Sequence, residues 1–299
     1  MLKAILKKIR SFLMDQTNLK IHQLNEYTTA TSDQFVSIQQ KLLLSQATDS
    51  DRPLSDYGFS VFSESDEDGI LLRIFAIIGF RNKVAIDVGG GSGLGGSNTA
   101  NLILHHGFDG LLIEGNNENA EYLRKIYGEK RQTRHYPPRV ICEYVTTANI
   151  NSLFTDNSIA GEVELLSIDI DSIDYWIWEA IDVISPRVVV VEIQCILPAD
   201  VSWTVPKDFC ETVFETIDNR RYGIYNSASL RAFERLGKSK GYRLVATSKL
   251  GFNAFFLRND LGIDKIPAIS VDECLDKPFV KWAQKTFYGK IKDLDWTEI

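Results

Sequence analysis

The chain has 299 residues, 44% of them hydrophobic and 24% charged, which is enough apolar surface for a sizeable core and excludes a disordered polymer. Lys and Arg number 33 against 40 Asp and Glu, a net charge of -7 that excludes the broad basic field of non-specific nucleic-acid binding. Cys142, Cys195, Cys210 and Cys274 lack any Cys-x-x-Cys spacing and no apolar run approaches the ~18 residues of a membrane span, so a reduced, cytoplasmic globular protein is expected.

Met1 to Met14 places Leu2, Ile5, Leu6, Ile9, Phe12 and Leu13 at helical spacing, with Lys3, Lys7, Lys8 and Arg10 mostly on the other face. Lys7, Lys8 and Arg10 interrupt the apolar region and no small-residue cleavage site follows, which argues against a secretory signal. The helix is expected to pack on the rest of the protein, or to make a weak peripheral contact with a membrane or a partner through residues 1–14. Residues 16–51 are polar, with a helical stretch from Gln34 to Leu44, and lead through Arg52-Pro53 to the acidic tract Glu64 to Asp68. The division predicted is an N-terminal helical extension over 1–59, a main domain over 60–258, and a packed C-terminal extension over 259–299 carrying Trp282, Phe287, Tyr288 and Trp296.

From Lys83 onward, short β-rich apolar runs alternate with amphipathic stretches, as successive strand–helix units of a parallel sheet do. The predicted strands are 83–88, 110–114, 139–144, 164–170, 187–193, 242–248 and 253–258. Only Lys249 to Phe252 separate the last two, too few residues for a parallel crossover, so these close the sheet as an antiparallel hairpin.

The strongest local pattern is Asp87-Val88-Gly89-Gly90-Gly91-Ser92-Gly93-Leu94-Gly95-Gly96, after an apolar strand and before a helix starting near Ser97. Glycine lets the backbone turn sharply and approach a ligand with no Cβ in the way. Gly91, Gly93 and Gly96 fit G-x-G-x-x-G, so a dinucleotide enters consideration, but its pyrophosphate would be repelled by Asp87 at the strand tip. S-adenosylmethionine (SAM) brings an ammonium and a sulfonium, for which an acid before the glycines is appropriate, and no Lys follows the loop as a P-loop requires. Glu114, at the tip of the next strand, is placed to accept ribose hydroxyls, a device that SAM and NAD sites share.

With these residues the chain resembles class I SAM-dependent methyltransferases, and more narrowly the FkbM-like group. The resemblance runs from about Glu67 to Arg258, on Glu67-Asp68-Gly69-Ile70, Ala85-Ile86-Asp87-Val88-Gly89, Ser97-Asn98-Thr99, Gly110 to Gly115, Leu166 to Asp171 and Pro186 to Glu192. The group's fourth strand usually reads K-I-D-v-E-G, where this chain has Ser167-Ile168-Asp169-Ile170-Asp171-Ser172. The resemblance implies an α/β, Rossmann-like doubly wound sheet of seven strands, with residues 60–258 as the SAM-binding domain and the hairpin at its end. It assigns SAM to Asp87, Gly89, Gly91, Gly93 and Glu114, with Asn98 near the methionine end and Thr146 or Thr147 near the adenine.

Asp169, Asp171 and Asp174 follow the fourth strand and Glu192 closes the fifth, so strand adjacency gathers carboxylates beside the proposed methyl donor. Asp171, Glu192 or Asp169 would then serve as the base that removes a hydroxyl proton during transfer, giving O-methylation of a small-molecule or glycan acceptor. Asp169, Asp171 and Glu192 would alternatively hold a hard divalent ion such as Mg²⁺. Asp171 and Asp174 also suit the cap of a helix starting near Asp174-Tyr175-Trp176. Two rivals stay open: a nucleotide-sugar glycosyltransferase using Asp169-Ile170-Asp171 as its D-x-D, and a non-catalytic module of the same fold. Trp176 and Trp178 read as core packing, His105 and His106 as the end of the helix after the glycine loop. Gln194 to Tyr225, with Trp203, Pro206, Arg220, Arg221 and Tyr222, reads either as the insertion that sets acceptor specificity, its aromatics and arginines suiting a carbohydrate or anionic small molecule, or as an ordinary surface loop.

Overall fold

The computed structural model describes residues 20, 36, 40, 52–91, 93–209 and 224–299. The chain forms two compact units, 1–46 and 47–299. In the first, Lys20, Val36 and Gln40 are helical, the last two inside the helical stretch expected from Gln34 to Leu44. The amphipathic segment 1–14, Ser92, Cys210 and the expected specificity residues Arg220, Arg221 and Tyr222 lie outside the described residues.

The second unit is built on β1 (Val84–Val88), β2 (Asp109–Glu114), β3 (Arg139–Cys142), β4 (Gly161–Ile168), β5 (Ile184–Glu192), β7 (Tyr242–Thr247) and β8 (Asn253–Arg258), with β6 (Trp203–Thr204) and β9 (Thr297–Glu298) in a separate two-stranded sheet. The seven strands are ordered β3-β2-β1-β4-β5-β8-β7, the first five parallel and β8 antiparallel to both neighbours. This is the Rossmann-like sheet with the terminal hairpin that the sequence predicts. β4 ends at Ile168, two residues before the expected tip, so Asp169 and Asp171 stand on the loop beyond it.

The helices are α1 (Glu67–Ile78), α2 (Ala100–His106), α3 (Asn117–Glu129), α4 (Ile150–Thr155), α5 (Asp174–Ala180), α6 (Leu230–Ser239), α7 (Val271–Leu275) and α8 (Pro278–Ile291). Val188 to Val191 of β5 are completely buried, as a central strand covered on both faces must be. Fully burying each such side chain contributes about 1.5–3 kcal/mol. α6 starts where the Ser229 hydroxyl accepts the Ala232 N–H and turns Leu230, Phe233 and Leu236 onto the sheet. Its Gly237 is required by close approach, because a Cβ there would lie 2.8 Å from the Phe256 ring. Trp178 packs against that same ring at 4.9 Å, and Trp176 donates from Nε1 to the Val205 carbonyl, so both tryptophans serve packing as expected.

The tract Glu64 to Asp68 is structural rather than a solvated run. Glu67 and Asp68 begin α1 and are buried, and Asp68 Oδ2 accepts the N–H groups of Val61, Phe62 and Ser63 at 2.7, 2.7 and 3.0 Å. The loop so held gives its Phe62 carbonyl to the Gly96 N–H, tying the tract to the end of the glycine loop. Gly69 follows because a Cβ would sit 2.1 Å from the Tyr57 carbonyl oxygen.

At the far end of the sheet, Glu164 of β4 is fully buried and pairs with Arg187 of β5 at 2.5 Å. Arg187 also donates to the carbonyls of Ile78 and Gly79, while Glu164 accepts the N–H groups of Arg81 and Lys83, so the pair staples the α1–β1 turn to the sheet. Removing one partner leaves the other charge buried alone, which costs about 3–5 kcal/mol. Arg187→Met is expected to lower unfolding free energy by that amount in urea, and Glu164→Gln combined with it to recover part of the loss. Equal stability of Arg187→Met and the parent would remove the staple from this account.

Candidate functional site

A cavity of about 560 Å³ opens at the carboxyl ends of β1, β4 and β5, the crevice where open α/β sheets bind ligands. The glycine loop forms its first wall. Gly89 and Gly90 both donate to the Ile113 carbonyl at 3.0 Å, and Gly89 has φ +95°. A Cβ on Gly89 would lie 1.7 Å from the Asp169 carbonyl oxygen, so only glycine lets the tips of β1 and β4 approach this closely. Gly91, Gly95 and Gly96 line the cavity with no heavy atom within 4 Å of their Cβ positions, leaving backbone open to a ligand.

Asp87 and Asn98 complete this wall. Asp87 is buried and its Oδ2 accepts the hydroxyls of Ser97 and Thr99 at 3.0 and 2.7 Å. Burial outweighs these bonds and raises its pKa to about 6. Asn98 is also buried, its amide N donating to Ser167 Oγ at 3.2 Å, while its Oδ1 is a buried acceptor with no partner. An unsatisfied buried acceptor on a cavity wall costs about 1–3 kcal/mol and is relieved by a ligand that donates to it.

The second wall is acidic. Asp169, Asp171 and Glu192 each offer an oxygen, and these oxygens lie within 4.8 Å of one another. Glu64, from the N-terminal tract, lines the same cavity. Burial, and then the charges of the neighbouring carboxylates, hold Asp169 and Glu192 well above the ordinary carboxylate range; the same causes raise Glu64. Asp174 belongs to the scaffold: its two oxygens accept the N–H groups of Ile170 and Ser172 at 2.9 and 3.0 Å, which shapes the loop carrying Asp171 at φ +55°. A side-chain relay orients the site from the other direction. The Ile196 N–H donates to Gln194 Oε1, Gln194 Nε2 to Asn226 Oδ1 at 2.6 Å, and Asn226 Nδ2 to Asp171 and Glu192 at 3.1 and 3.5 Å.

The third wall is apolar, made by Phe252 of the β7–β8 loop, Ile196, Ile224, and Phe279, Ala283 and Phe287 of α8. No Lys, Arg or His lines the cavity among the described residues.

Of the residues expected at the cofactor, Asp87, Gly89, Gly91 and Asn98 line the cavity, as do Asp169, Asp171 and Glu192 of the acidic edge. Glu114 stands one shell behind: its carboxylate accepts the N–H groups of Gly91 and Asn116, both at 2.8 Å, and so sets the loop. Gly93, Thr146 and Thr147 lie outside the lining. Thr146 and Asn149 exchange reciprocal side-chain to backbone bonds of 2.7 and 3.2 Å at the start of α4, which commits the Thr146 hydroxyl to the helix end. Glu64, Asn226 and Phe279 escaped the sequence reading as cavity residues, Phe287 was expected only as packing, and Gln194 opens the segment expected to set specificity. For α8 a signal exists, since Phe279, Ala283 and Phe287 recur every four residues after Pro278, on one face of a helix.

The chain matches no known family model, and no curated relative matches it. Among solved structures it is similar to magnesium protoporphyrin IX methyltransferase from Synechocystis PCC 6803 with bound SAM, at 10% identity and a TM-score of 0.37, covering 64% of this chain and 77% of that one. Geranyl diphosphate methyltransferase matches at 12% identity and a TM-score of 0.37, covering 73% and 96%. For mitomycin 7-O-methyltransferase the values are 18% and 0.35, and the match covers 59% of this chain but only 49% of that one. The fold assignment rests on the strand order described above.

Asp87 makes a pH test. Its folded pKa lies above the unfolded value of 3.8, so the folded state binds the extra proton between the two and stability contributed by Asp87 falls as pH rises through about 6. His106, lowered to about 4 by burial, has the opposite slope, so the comparison must be made between variants. Asp87→Asn, which removes the titration and keeps an acceptor for Ser97 and Thr99, is expected to gain stability relative to the parent as pH rises from about 4 through about 6 and to keep that gain at higher pH. A difference in urea midpoint that stays flat across that range would contradict the burial of an ionised Asp87.

Proposed function

We propose that the protein is a SAM-dependent methyltransferase that transfers a methyl group to a hydroxyl oxygen of a small molecule or glycan. The observation that carries this reading is a cavity in which an open glycine backbone, the orphan acceptor Asn98 Oδ1 and a set of uncompensated carboxylates converge with no basic side chain among the described lining residues. That donor set fits a ligand presenting an ammonium and a sulfonium, and it opposes a pyrophosphate.

In this reading SAM, when bound, supplies a methyl group activated by positive sulfur. Gly89, Gly91 and Gly96 provide the backbone surface beside it, Asn98 Oδ1 accepts an N–H from its amino-acid end, and Glu114 fixes the loop from behind through the Gly91 and Asn116 N–H groups. Asp169 or Glu192 takes the acceptor's hydroxyl proton, because burial and mutual repulsion make each a stronger base than an ordinary carboxylate. Asp171, held by Asn226, orients the acceptor beside them. The second reading of the trio is a hard divalent ion such as Mg²⁺, favoured by oxygens converging within 4.8 Å. It predicts calorimetric Mg²⁺ binding that Asp169→Asn removes.

Titration with SAM and S-adenosylhomocysteine, with NAD and UDP-glucose as controls, tests the cofactor. Binding of the SAM pair alone is expected, with Asp87→Ala and Glu114→Ala each weakening it by about tenfold or more, the equivalent of ~1.4 kcal/mol, in a protein that still melts cooperatively. UDP-glucose binding with silence for SAM would move the assignment to the Asp169-Ile170-Asp171 glycosyltransferase reading. Unchanged SAM affinity in both variants would sink the site assignment.

A further inference from the structure

We propose that the methyl acceptor is a hydroxylated organic cation, an ammonium group joined to a ring-bearing apolar body, with the ammonium received by Asp171 and whichever of Asp169 and Glu192 does not take the hydroxyl proton, and the ring by Phe252, Phe279 and Phe287. The inference rests on the methyl-transfer reading and names the acceptor class of that site.

The charge of the cavity favours a cation. Glu64, Asp87, Asp169, Asp171 and Glu192 share one cavity, and no Lys, Arg or His lines it among the described residues. Lys277, from the α7–α8 turn, turns its ammonium onto the Thr247 and Ser248 carbonyls instead. Asp169 and Glu192 are half-buried and Asp87 is buried, so a cation entering the cavity gains more from these carboxylates than it would from the same charges in open water. An anionic acceptor would add repulsion to carboxylates already crowded within 4.8 Å.

The amide relay separates an ammonium from a metal ion. Gln194 is oriented by the Ile196 N–H on its Oε1, so its amide N must donate to Asn226 Oδ1, and the Asn226 amide N is thereby turned toward Asp171 and Glu192. A metal ion at the trio would gain no ligand from Asn226, whose oxygen faces Gln194. An ammonium needs none, because its three N–H groups bond the remaining carboxylate lone pairs.

The apolar wall favours a ring-bearing body. Phe252 and Phe279 meet edge to face at 5.3 Å, and all three phenylalanines are half-buried, presenting ring surface to the same cavity as the acids. Carboxylates beside aromatic faces recognise organic cations twice, by ion pairing and by attraction to the ring quadrupole. A fully hydroxylated sugar uses only the first of these walls.

Calorimetry on the protein saturated with S-adenosylhomocysteine tests the class with three probes sharing a phenol ring: tyramine, uncharged para-ethylphenol and anionic para-hydroxyphenylpropanoate. Tyramine is expected to bind about tenfold or more tighter than para-ethylphenol. The anion should give no measurable heat. Asp171→Asn and Phe287→Ala are each expected to weaken tyramine several-fold and to leave S-adenosylhomocysteine affinity unchanged, and added Mg²⁺ to compete with tyramine or do nothing. Equal binding of tyramine and para-ethylphenol, absence of tyramine binding, or Mg²⁺ that strengthens binding would each overturn the proposal, the last in favour of a metal site. The same titrations without S-adenosylhomocysteine separate the two readings. Loss of cofactor binding with the tyramine preference intact sinks the cofactor assignment alone; cofactor binding without that preference sinks the acceptor class alone.

Discussion

The described site is organised around negative charge that its own lining side chains do not neutralise. Asp169, Asp171 and Glu192 are held within 4.8 Å of one another, with Asp87 and Glu64 on the same cavity. Left to themselves such groups would separate or protonate, and the raised pKa values of Asp169 and Glu192 register that tension. What keeps them together is backbone and amide hydrogen bonding rather than counter-charge. Buried cations are spent elsewhere, as Arg187 is on Glu164 at the opposite end of the strands.

Three contacts transmit the fold to this cluster. Gly89 brings the tip of β1 against the Asp169 carbonyl so closely that a methyl group would collide with it, which locks the glycine loop and the acidic edge into one geometry. Asp174 spends both oxygens on the N–H groups of Ile170 and Ser172, turning the loop so that Asp171 faces inward at positive φ. Asn226 reaches the cluster from the segment before α6, and the Ser227 N–H bonds the Ser172 carbonyl, so that segment and the β4 loop are fastened side by side. Each contact is short-range and stereochemically strict. The cluster therefore holds its geometry even though its electrostatics oppose it.

Much of this was legible in the sequence because it depends on local rules. The seven strands followed from apolar runs, although β4 and β5 begin three residues before the expected starts and β3 ends two early, and the terminal hairpin followed from a four-residue gap that permits no parallel crossover. Asp87 and the glycines stood out because a polar, Cβ-free turn after an apolar strand places backbone at the sheet's edge, and the structure puts Asp87, Gly89 and Gly91 on the cavity. What escaped depends on long-range docking. Asn226 meets Asp171 across 55 positions, and Phe279 reaches a cavity whose first wall is the glycine loop beginning at Gly89. No pattern around either residue reports the partner. Thr146 shows the converse case, since a polar residue beyond an edge strand suits a ligand contact and a helix-capping exchange equally well, and here it exchanges bonds with Asn149 at the start of α4.

The cavity has two halves of different construction, and the difference bears on how its chemistry is divided. The glycine half is chiefly backbone, anchored by main-chain bonds to Ile113 and Phe62 and by the Glu114 carboxylate, so its shape is fixed by the sheet. The opposite half is side chains from segments outside the parallel strands, and those segments brace one another: Tyr225 packs on Trp296 at 4.7 Å, Trp203 stacks on Trp296 at 6.3 Å, and β6 pairs with β9. A ligand common to many reactions suits the first half, because backbone cannot be varied without disturbing β1. A ligand particular to this protein suits the second, where Phe279 and Phe287 can change without altering any strand. The carboxylates sit at the seam, on loops leaving β4 and at the end of β5, where a proton acceptor must stand if it is to serve whatever the two halves bring together.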